Sequence, residues 1–151
     1  MPEDHIENGE SLYRRIKSDP SMFPIIDGKQ RFSSTVFNSP DHKPSVDRAK
    51  LRSSPSETKV AITDGVITLL TADVRAISIE NTSADPGASK TYSVDVIPRP
   101  VPVDNPDGLA ENKAHAQIEA DPILASPSRF KKLKEALALL ASQNGWSIKP
   151  S

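Results

Sequence analysis

The stretch SVDR, residues 45–48, places three side chains that can do chemistry within four positions. Ser45 can serve as a nucleophile, Asp47 as a base and Arg48 as an anion ligand. His42, just upstream, would supply the general base that a serine nucleophile requires. The same residues also suit a helical turn, because a serine that follows proline can accept the first amide hydrogens of a helix. The sequence favours this capping role for Ser45 and leaves a site as the alternative.

A second group of candidates lies in AHAQIEA, residues 114–120, which has the alternation of a strand. In a strand His115, Gln117 and Glu119 share one face and could serve as ligands or as an acid/base pair, although a half-solvated strand has the same pattern. The histidines lack metal-ligand spacing, so no metal site is expected. The candidate catalytic residues are therefore Ser45, Asp47, Arg48 and His115.

Two short basic segments are the candidate binding residues. LYRRIK contributes Arg14 and Arg15, and SRFKKLK contributes four cations near the chain's C-terminal end. Two such patches could bind a phosphate backbone weakly. Phe130 lies in the second segment but belongs to an apolar helix stripe, so base stacking is not expected of it. The four C-terminal cations are Arg129, Lys131, Lys132 and Lys134.

The elements that must position these residues are short strands and one helix. Asp27-Gly28 and Asp64-Gly65 are both typical of type I′ hairpin turns. TYSVDVI, residues 91–97, alternates cleanly and predicts a strand. Ser126 predicts a helix start and Gly145 its end, and an apolar stripe runs between them: Phe130, Leu133, Leu137 and Leu140.

The amino-acid composition limits the possible folds. Apolar residues make up 36% of the 151 residues, and fourteen prolines against six glycines argue against a compact helical bundle. The expected fold is α+β, with a small, mostly antiparallel sheet, short helical turns and one amphipathic C-terminal helix. We expect a disordered segment at 1–10, one domain at 11–145, a tail at 146–151 and a mobile loop at 82–90.

Several function classes are excluded by what the sequence lacks. There is no cysteine, so thiol nucleophiles, thiolate zinc sites and disulfides are ruled out. Glycine-rich phosphate loops are also missing, and no cofactor is expected. The polar N-terminus does not resemble a leader, and no apolar run approaches the ~20 residues of a membrane span. We therefore expect a cytoplasmic protein that does not bind membranes.

The order of the pieces LYRRI, RFSSTVF, SVDRA and AHA resembles a group of small uncharacterised bacterial proteins. The resemblance covers roughly residues 11–140. No activity is established for that group, so it implies no catalytic residues. It implies a bacterial cytoplasmic accessory protein, of the kind encoded in defence or toxin–antitoxin gene clusters.

Three functions follow as hypotheses. The first is a non-enzymatic binding or accessory protein with a protein partner, favoured by the lack of catalytic signatures and by segregated charge. Residues 61–112 carry a net charge of −5 (three cations, eight anions) and residues 113–151 carry +3 (six and three). The second is an enzyme that acts on nucleic acid or a nucleotide through residues that the fold brings together: Arg14, Arg15, Ser45, Asp47, Arg48 and His115. The third is a weak nucleic-acid-binding protein.

Overall fold

The computed structural model describes residues 5–81, 90–122, 124 and 126–151. The expected loop at 82–90 lies almost entirely outside them. Short 3-10 turns occur at Pro20–Met22, Ser34–Phe37, Ala49–Leu51 and Pro55–Thr58. The strands and helices are β1 (Ser11–Ile16), β2 (Ile25–Ile26), β3 (Lys29–Gln30), β4 (Ser45–Arg48), β5 (Gly65–Leu70), α1 (Thr71–Arg75), β6 (Ser78–Asn81), β7 (Lys90–Pro98), β8 (His115–Asp121), α2 (Pro127–Asn144) and β9 (Trp146–Ile148).

Seven strands form one sheet in the order β6-β7-β8-β4-β1-β5-β9, and β2 and β3 form a separate hairpin. Every pairing among the described strands is antiparallel. The α+β prediction is confirmed, including the single long helix near the C-terminal end.

The sheet is strongly curled. β5 and β6 are five inter-strand spacings apart in the sheet order, yet only residues 71–77 join them. In a flat sheet that separation would be about 24 Å at ~4.8 Å per spacing, which a short helix rising ~1.5 Å per residue does not cover. The curl brings β7 back toward β5, so that α1 contacts both strands. Arg75 of α1 also pairs with Asp95 of β7, with 2.6 Å between Nε and Oδ1.

One face of the sheet packs on α2. The apolar stripe predicted for this helix is buried, with Leu133 and Leu137 both fully inaccessible to solvent. Ser126 caps the helix through its hydroxyl, which accepts the Arg129 amide at 3.3 Å, and Gly145 ends it at a φ of 74°. The alternate residues of the central strands, among them Leu12, Val46, Ala116 and Ile118, complete this core.

The structure corrects the interpretation of residues 45–48 as the start of a helical turn. These residues form the central strand β4 and not a helical turn, so Ser45 caps no helix. β4 has partners on both sides, β1 and β8. Those two ladders satisfy more backbone groups than one capped turn would, which is why the local capping preference does not decide the structure.

The two Asp-Gly turns have different outcomes. Asp27 and Gly28 have φ values of 54° and 75° and join β2 to β3, as a type I′ turn requires. Asp64-Gly65 is not a hairpin turn. The Asp64 carboxylate instead accepts the amide hydrogens of Val60 and Ala61, at 3.0 and 2.9 Å, and closes the loop that precedes β5.

Described residues near each end of the chain pack on the rest of the fold, which the sequence did not predict. Ile6 lies in the core with 1% exposure, although residues 1–10 were expected to be disordered. Residues 146–148 were expected in a tail, but they form the edge strand β9 on β5. Trp146 anchors β9 through edge contacts with Phe23 and Phe32, at ring-centroid distances of 5.0 and 4.7 Å. No helix in the described part of the chain is long and apolar enough to cross a membrane.

Candidate functional site

Three polar side chains form a row across the sheet face that points away from α2. Tyr13 of β1 pairs in register with Asp47 of β4, and Asp47 pairs with His115 of β8. Side chains of directly opposed residues lie on the same face, about 5 Å apart at Cβ. The sheet order therefore brings together two candidate catalytic residues that are 68 positions apart in the sequence.

Beside this row, β1 and β4 separate. They pair only at Leu12–Arg48 and Tyr13–Asp47, whereas β1 pairs with β5 along its whole length. The Arg14 guanidinium enters the opening and donates to the backbone carbonyl oxygens of Ser45, Val36 and Asn38, at 2.6, 2.9 and 3.4 Å. Burial, assisted by the neighbouring Arg15 charge, lowers the pKa of Arg14 to about 10, so it stays charged at neutral pH. Arg14 thus takes the place of the missing backbone pairing between β1 and β4. A cleft remains beside Ser45, where the two strands separate.

Ser45 and His115 are within hydrogen-bond distance. His115 Nε2 lies 3.1 Å from Ser45 Oγ, and its Nδ1 lies 2.7 Å from the carbonyl oxygen of Arg99. A carbonyl oxygen only accepts hydrogen bonds, so Nδ1 carries a proton, and in the neutral tautomer of the ring Nε2 is the acceptor. Ser45, which is exposed, therefore donates its hydroxyl hydrogen to His115. This is the arrangement in which an adjacent base activates a nucleophile and a third group orients the base.

The orienting carbonyl belongs to a firmly held segment. The Arg99 amide donates to the His115 carbonyl at 2.9 Å, so the two residues are tied through both backbone and ring. The Arg99 guanidinium forms two hydrogen bonds with Glu119, at 2.9 and 3.2 Å. These hydrogen bonds and the Glu119 charge raise the pKa of Arg99. Glu119, which shares the His115 face of β8 as predicted, thus supports the residue that orients His115.

Asp47 holds the walls of the cleft through four hydrogen bonds. Its Oδ2 accepts from Arg52 at 2.9 and 3.1 Å and from Thr58 at 2.9 Å, and its Oδ1 accepts from Asn112 at 2.9 Å. A buried carboxylate with these partners is committed to structure. It fixes the segment 52–58 on one side and the loop before β8 on the other.

The cleft has a volume of about 570 Å³, within the range of small-molecule sites. Its lining includes five cationic residues against two acidic ones, Asp47 and Glu57. Arg15 lies on the cleft face of β1, and its Nη1 is 3.5 Å from the Asp64 carboxylate. Burial would raise the pKa of Asp64, but the Ala61 and Val60 amides and the Arg15 charge hold it below its ordinary value. The five cationic residues are Arg14, Arg15, Lys17, Arg52 and Lys59.

Two residues of the opening constellation lie elsewhere. Arg48 points to the opposite face, where it forms a buried ion pair with Glu10 at 3.1 Å, so it is not part of the cleft. His42 has a φ of 60° and stacks on Phe130, with 4.6 Å between ring centroids. Its Nδ1 lies 2.7 Å from the Leu124 carbonyl oxygen, so it packs on the α2 side and is not the base for Ser45.

The basic residues of α2 have partners within the protein. Arg129 donates to the Tyr92 hydroxyl at 2.9 Å, and Lys132 to the Glu80 carbonyl oxygen at 3.0 Å. Lys134 donates to Asn38 at 2.8 Å, and Lys131 lies 3.9 Å from Glu135. These contacts join the first turns of α2 to the sheet and the neighbouring loop. They explain why cations occupy helix positions that the helix dipole disfavours.

Sequence reasoning missed several groups that build the cleft. Arg52, Thr58 and Asn112 come from loops, and each is recruited by Asp47. His115 is oriented by the Arg99 backbone carbonyl, which no residue type can signal. Among the described residues, no three His, Asp or Glu side chains gather as metal ligands.

Comparison with models of protein families, with curated proteins and with solved structures finds no match to this chain.

Proposed function

We propose that the protein is an enzyme in which Ser45 is the nucleophile and His115 the general base. This is the second of the three sequence hypotheses, reduced to two catalytic residues, since Asp47 is structural and Arg48 lies on the other face. The observation that carries it is the hydrogen bond from Ser45 Oγ to His115 Nε2, with the Nδ1 proton held by the Arg99 carbonyl. Separations of 3.1 and 2.7 Å fall within the range for an activated nucleophile.

The setting of the pair also supports catalysis. Ser45 is exposed and lines a cleft of about 570 Å³, so a substrate can reach its hydroxyl group. The excess of cations in the lining favours an anionic substrate and would stabilise negative charge that develops during the reaction. A nucleic acid or a nucleotide, the substrate class of the sequence hypothesis, meets this requirement.

His115 can accept the Ser45 proton and deliver it to the leaving group. As Ser45 Oγ bonds to the electrophilic atom of the substrate, its proton passes to His115 Nε2. The imidazolium, held at Nδ1 by the Arg99 carbonyl, then gives that proton to the leaving group. Water, deprotonated by the neutral ring, releases the product from Ser45.

A binding or accessory role in a bacterial cytoplasmic system, with a protein partner, is the second candidate. It is favoured by two exposed apolar side chains beside the cleft, Val60 at 78% and Ile62 at 87% exposure. Apolar residues this exposed suit contact with another protein. On this hypothesis the cleft binds its ligand without turnover, and Ser45 and His115 form only a cross-strand hydrogen bond.

Labelling with a fluorophosphonate, followed by intact-mass and peptide mass spectrometry, tests the enzyme proposal. Ser45 Oγ attacks phosphorus, fluoride leaves, and one adduct maps to Ser45. Ser45→Ala and His115→Gln should each abolish the adduct. Ser93 is another exposed strand serine on the same face; among the described residues it forms no hydrogen bond with a histidine, and it donates to the Asp121 carbonyl oxygen, so Ser93→Ala is the matched control. A folded wild-type protein that takes no label at Ser45 would contradict the proposal and favour the binding role.

A further inference from the structure

We infer that the cleft binds a phosphate monoester and that its phosphorus atom is the centre that Ser45 attacks. The inference deepens the proposed function and rests on it, because it assigns the substrate class of the same site. It depends on which of the cationic side chains in the cleft remain available to a ligand.

Two of the five cations are already committed. The Arg14 guanidinium is occupied by three backbone carbonyl oxygens at the point where β1 and β4 separate. The Arg52 guanidinium is occupied by Asp47, at 2.9 and 3.1 Å. Together with Asp47 they build the cleft, and they add little charge for a ligand.

The other three cations, Arg15, Lys17 and Lys59, line the cleft and are more available to a ligand. Arg15 keeps 46% of its side chain exposed beside Asp64. In the part of the chain that the structure describes, no carboxylate pairs with Lys17 or Lys59. Lys59 donates only to the Ile62 carbonyl oxygen, at 3.3 Å. The remaining acid of the lining, Glu57, accepts the Ser53 amide hydrogen.

Continuing the register of β1 and β4 past their last pair would set one of these cations opposite the nucleophile. Tyr13 pairs with Asp47 in an antiparallel ladder. If that ladder continued for two more residues, Arg15 would be opposite Ser45, across the opening where the strands separate. Lys17 is the next residue on the same face as Arg15. A two-residue step along a strand covers about 7 Å. Arg15 and Ser45 line the same cleft, so an anion bound there by Arg15 would occupy the space that Ser45 borders.

Phosphate fits this arrangement better than a carboxylic ester does. A planar guanidinium binds two phosphate oxygens at once, and ammonium groups bind the others as point charges. An uncharged carboxylic ester would leave Lys17 and Lys59 without an anion and Arg15 with Asp64 alone. In the resulting step, the Ser45 Oγ–P bond forms and the bond from phosphorus to the leaving oxygen breaks. The proton passes from Oγ through His115 Nε2 to that oxygen, and water later attacks phosphorus to free Ser45 and inorganic phosphate.

Protection from labelling tests the inference separately from the proposed function. The fluorophosphonate labelling rate of Ser45 is measured alone and with inorganic phosphate, AMP, adenosine or an oligonucleotide without terminal phosphates. Labelling without ligand reports on the nucleophile, and protection reports on the ligand. We expect inorganic phosphate and AMP to slow labelling at least fivefold and adenosine to have no effect. Labelling that none of the four slows, or that only the oligonucleotide slows, would overturn the phosphate assignment while leaving Ser45 as the nucleophile.

Charge-removing variants locate the site. Lys17→Gln should weaken phosphate and AMP binding, measured by calorimetry, by roughly tenfold, as expected for one charge-assisted contact. Lys131→Gln on α2 is the matched control, since Lys131 is an exposed lysine outside the cleft lining, and its affinity should equal that of the wild type. Both variants change only surface side chains, so folding should persist, which circular dichroism checks. Weakening by Lys131→Gln and not by Lys17→Gln would overturn the cleft as the phosphate site.

Discussion

Glu10 and Arg48 form an ion pair inside the protein, with 3.1 Å between Glu10 Oε1 and Arg48 Nε and 3.1 Å between Oε2 and Nη2. Their residues are only 8% and 3% exposed. Arg48 also donates to the His5 carbonyl oxygen at 3.3 Å, and Glu10 accepts the Glu7 amide at 2.7 Å. The pair thus ties the N-terminal segment to β4, on the face opposite Ser45 and His115.

Removal of one partner should be strongly destabilising. Glu10→Ala leaves the Arg48 charge buried without its carboxylate, and such a loss typically costs about 3–5 kcal/mol. Urea unfolding measures the change. Glu135→Ala, which removes an exposed carboxylate paired with Lys131 at 3.9 Å, is the control and should change the free energy of unfolding by less than about 1 kcal/mol. Equal effects of the two variants would mean that the Glu10–Arg48 pair does not hold the N-terminal segment in place.

The same pair predicts a pH dependence. Burial would raise the pKa of Glu10, but hydrogen bonds from Arg48 and the Glu7 amide, with the Arg48 charge, lower it below the ordinary 4.5. A carboxyl group with a lowered folded-state pKa stabilises the protein above its unfolded-state pKa, and this contribution is lost as the pH falls through the folded-state value. The difference in unfolding free energy between wild type and Glu10→Gln should therefore shrink as the pH falls from about 6 to about 3. A difference that stays constant or grows over this range would contradict the assignment.

Gly65 should not tolerate a side chain. A Cβ atom there would lie 2.5 Å from Trp146 Cζ3, 2.9 Å from Pro150 Cδ and 3.0 Å from the Ile148 carbonyl oxygen. Gly65→Ala must displace β9 from the sheet edge, which exposes Trp146 and lowers the melting temperature. A red shift of the tryptophan fluorescence measures the displacement. Gly9→Ala is the matched control, because nothing lies within 4 Å of its added methyl group.

The stripe of α2 offers a paired test of the core. Leu137 is fully buried, so Leu137→Ala should cost roughly 2–5 kcal/mol in unfolding free energy. Leu139, two residues along the same helix, is 56% exposed, and Leu139→Ala should change stability by less than about 0.5 kcal/mol. Comparable losses in the two variants, by chemical denaturation, would mean that α2 does not dock through the face containing Leu137.

The sequence was informative where one periodicity dominates. Apolar and polar residues alternate along β7, and apolar residues recur at helical spacing along α2. Both elements form as predicted. β4 was misinterpreted because a four-residue strand with two charged residues carries little pattern, and its identity depends on β1 and β8 at its sides. Asp64-Gly65 failed as a hairpin signal because the Asp64 side chain binds the amides of its own loop.

The candidate site was found only in part, for a related reason. His115 and Ser45 were both selected by residue type, but local spacing cannot show that β4 and β8 are neighbours. Sequence proximity suggested His42 as the base, and the fold places it on Phe130. The groups that complete the cleft come from the Arg99 backbone and from loops that Asp47 gathers, so they exist only once the sheet has formed.

The tautomer of His115 is the measurement that bears most directly on the proposed pair. A long-range nitrogen–proton NMR spectrum distinguishes the two ring nitrogens, and His115→Gln identifies the signals by their loss. The spectrum is recorded at a pH where the two nitrogen signals identify the neutral ring. The account predicts a proton on Nδ1, an unprotonated Nε2, and a shift of the Nε2 signal in Ser45→Ala, which removes the hydrogen bond. A proton on Nε2, or an Nε2 signal that Ser45→Ala does not move, would contradict the role of His115 as the base that activates Ser45.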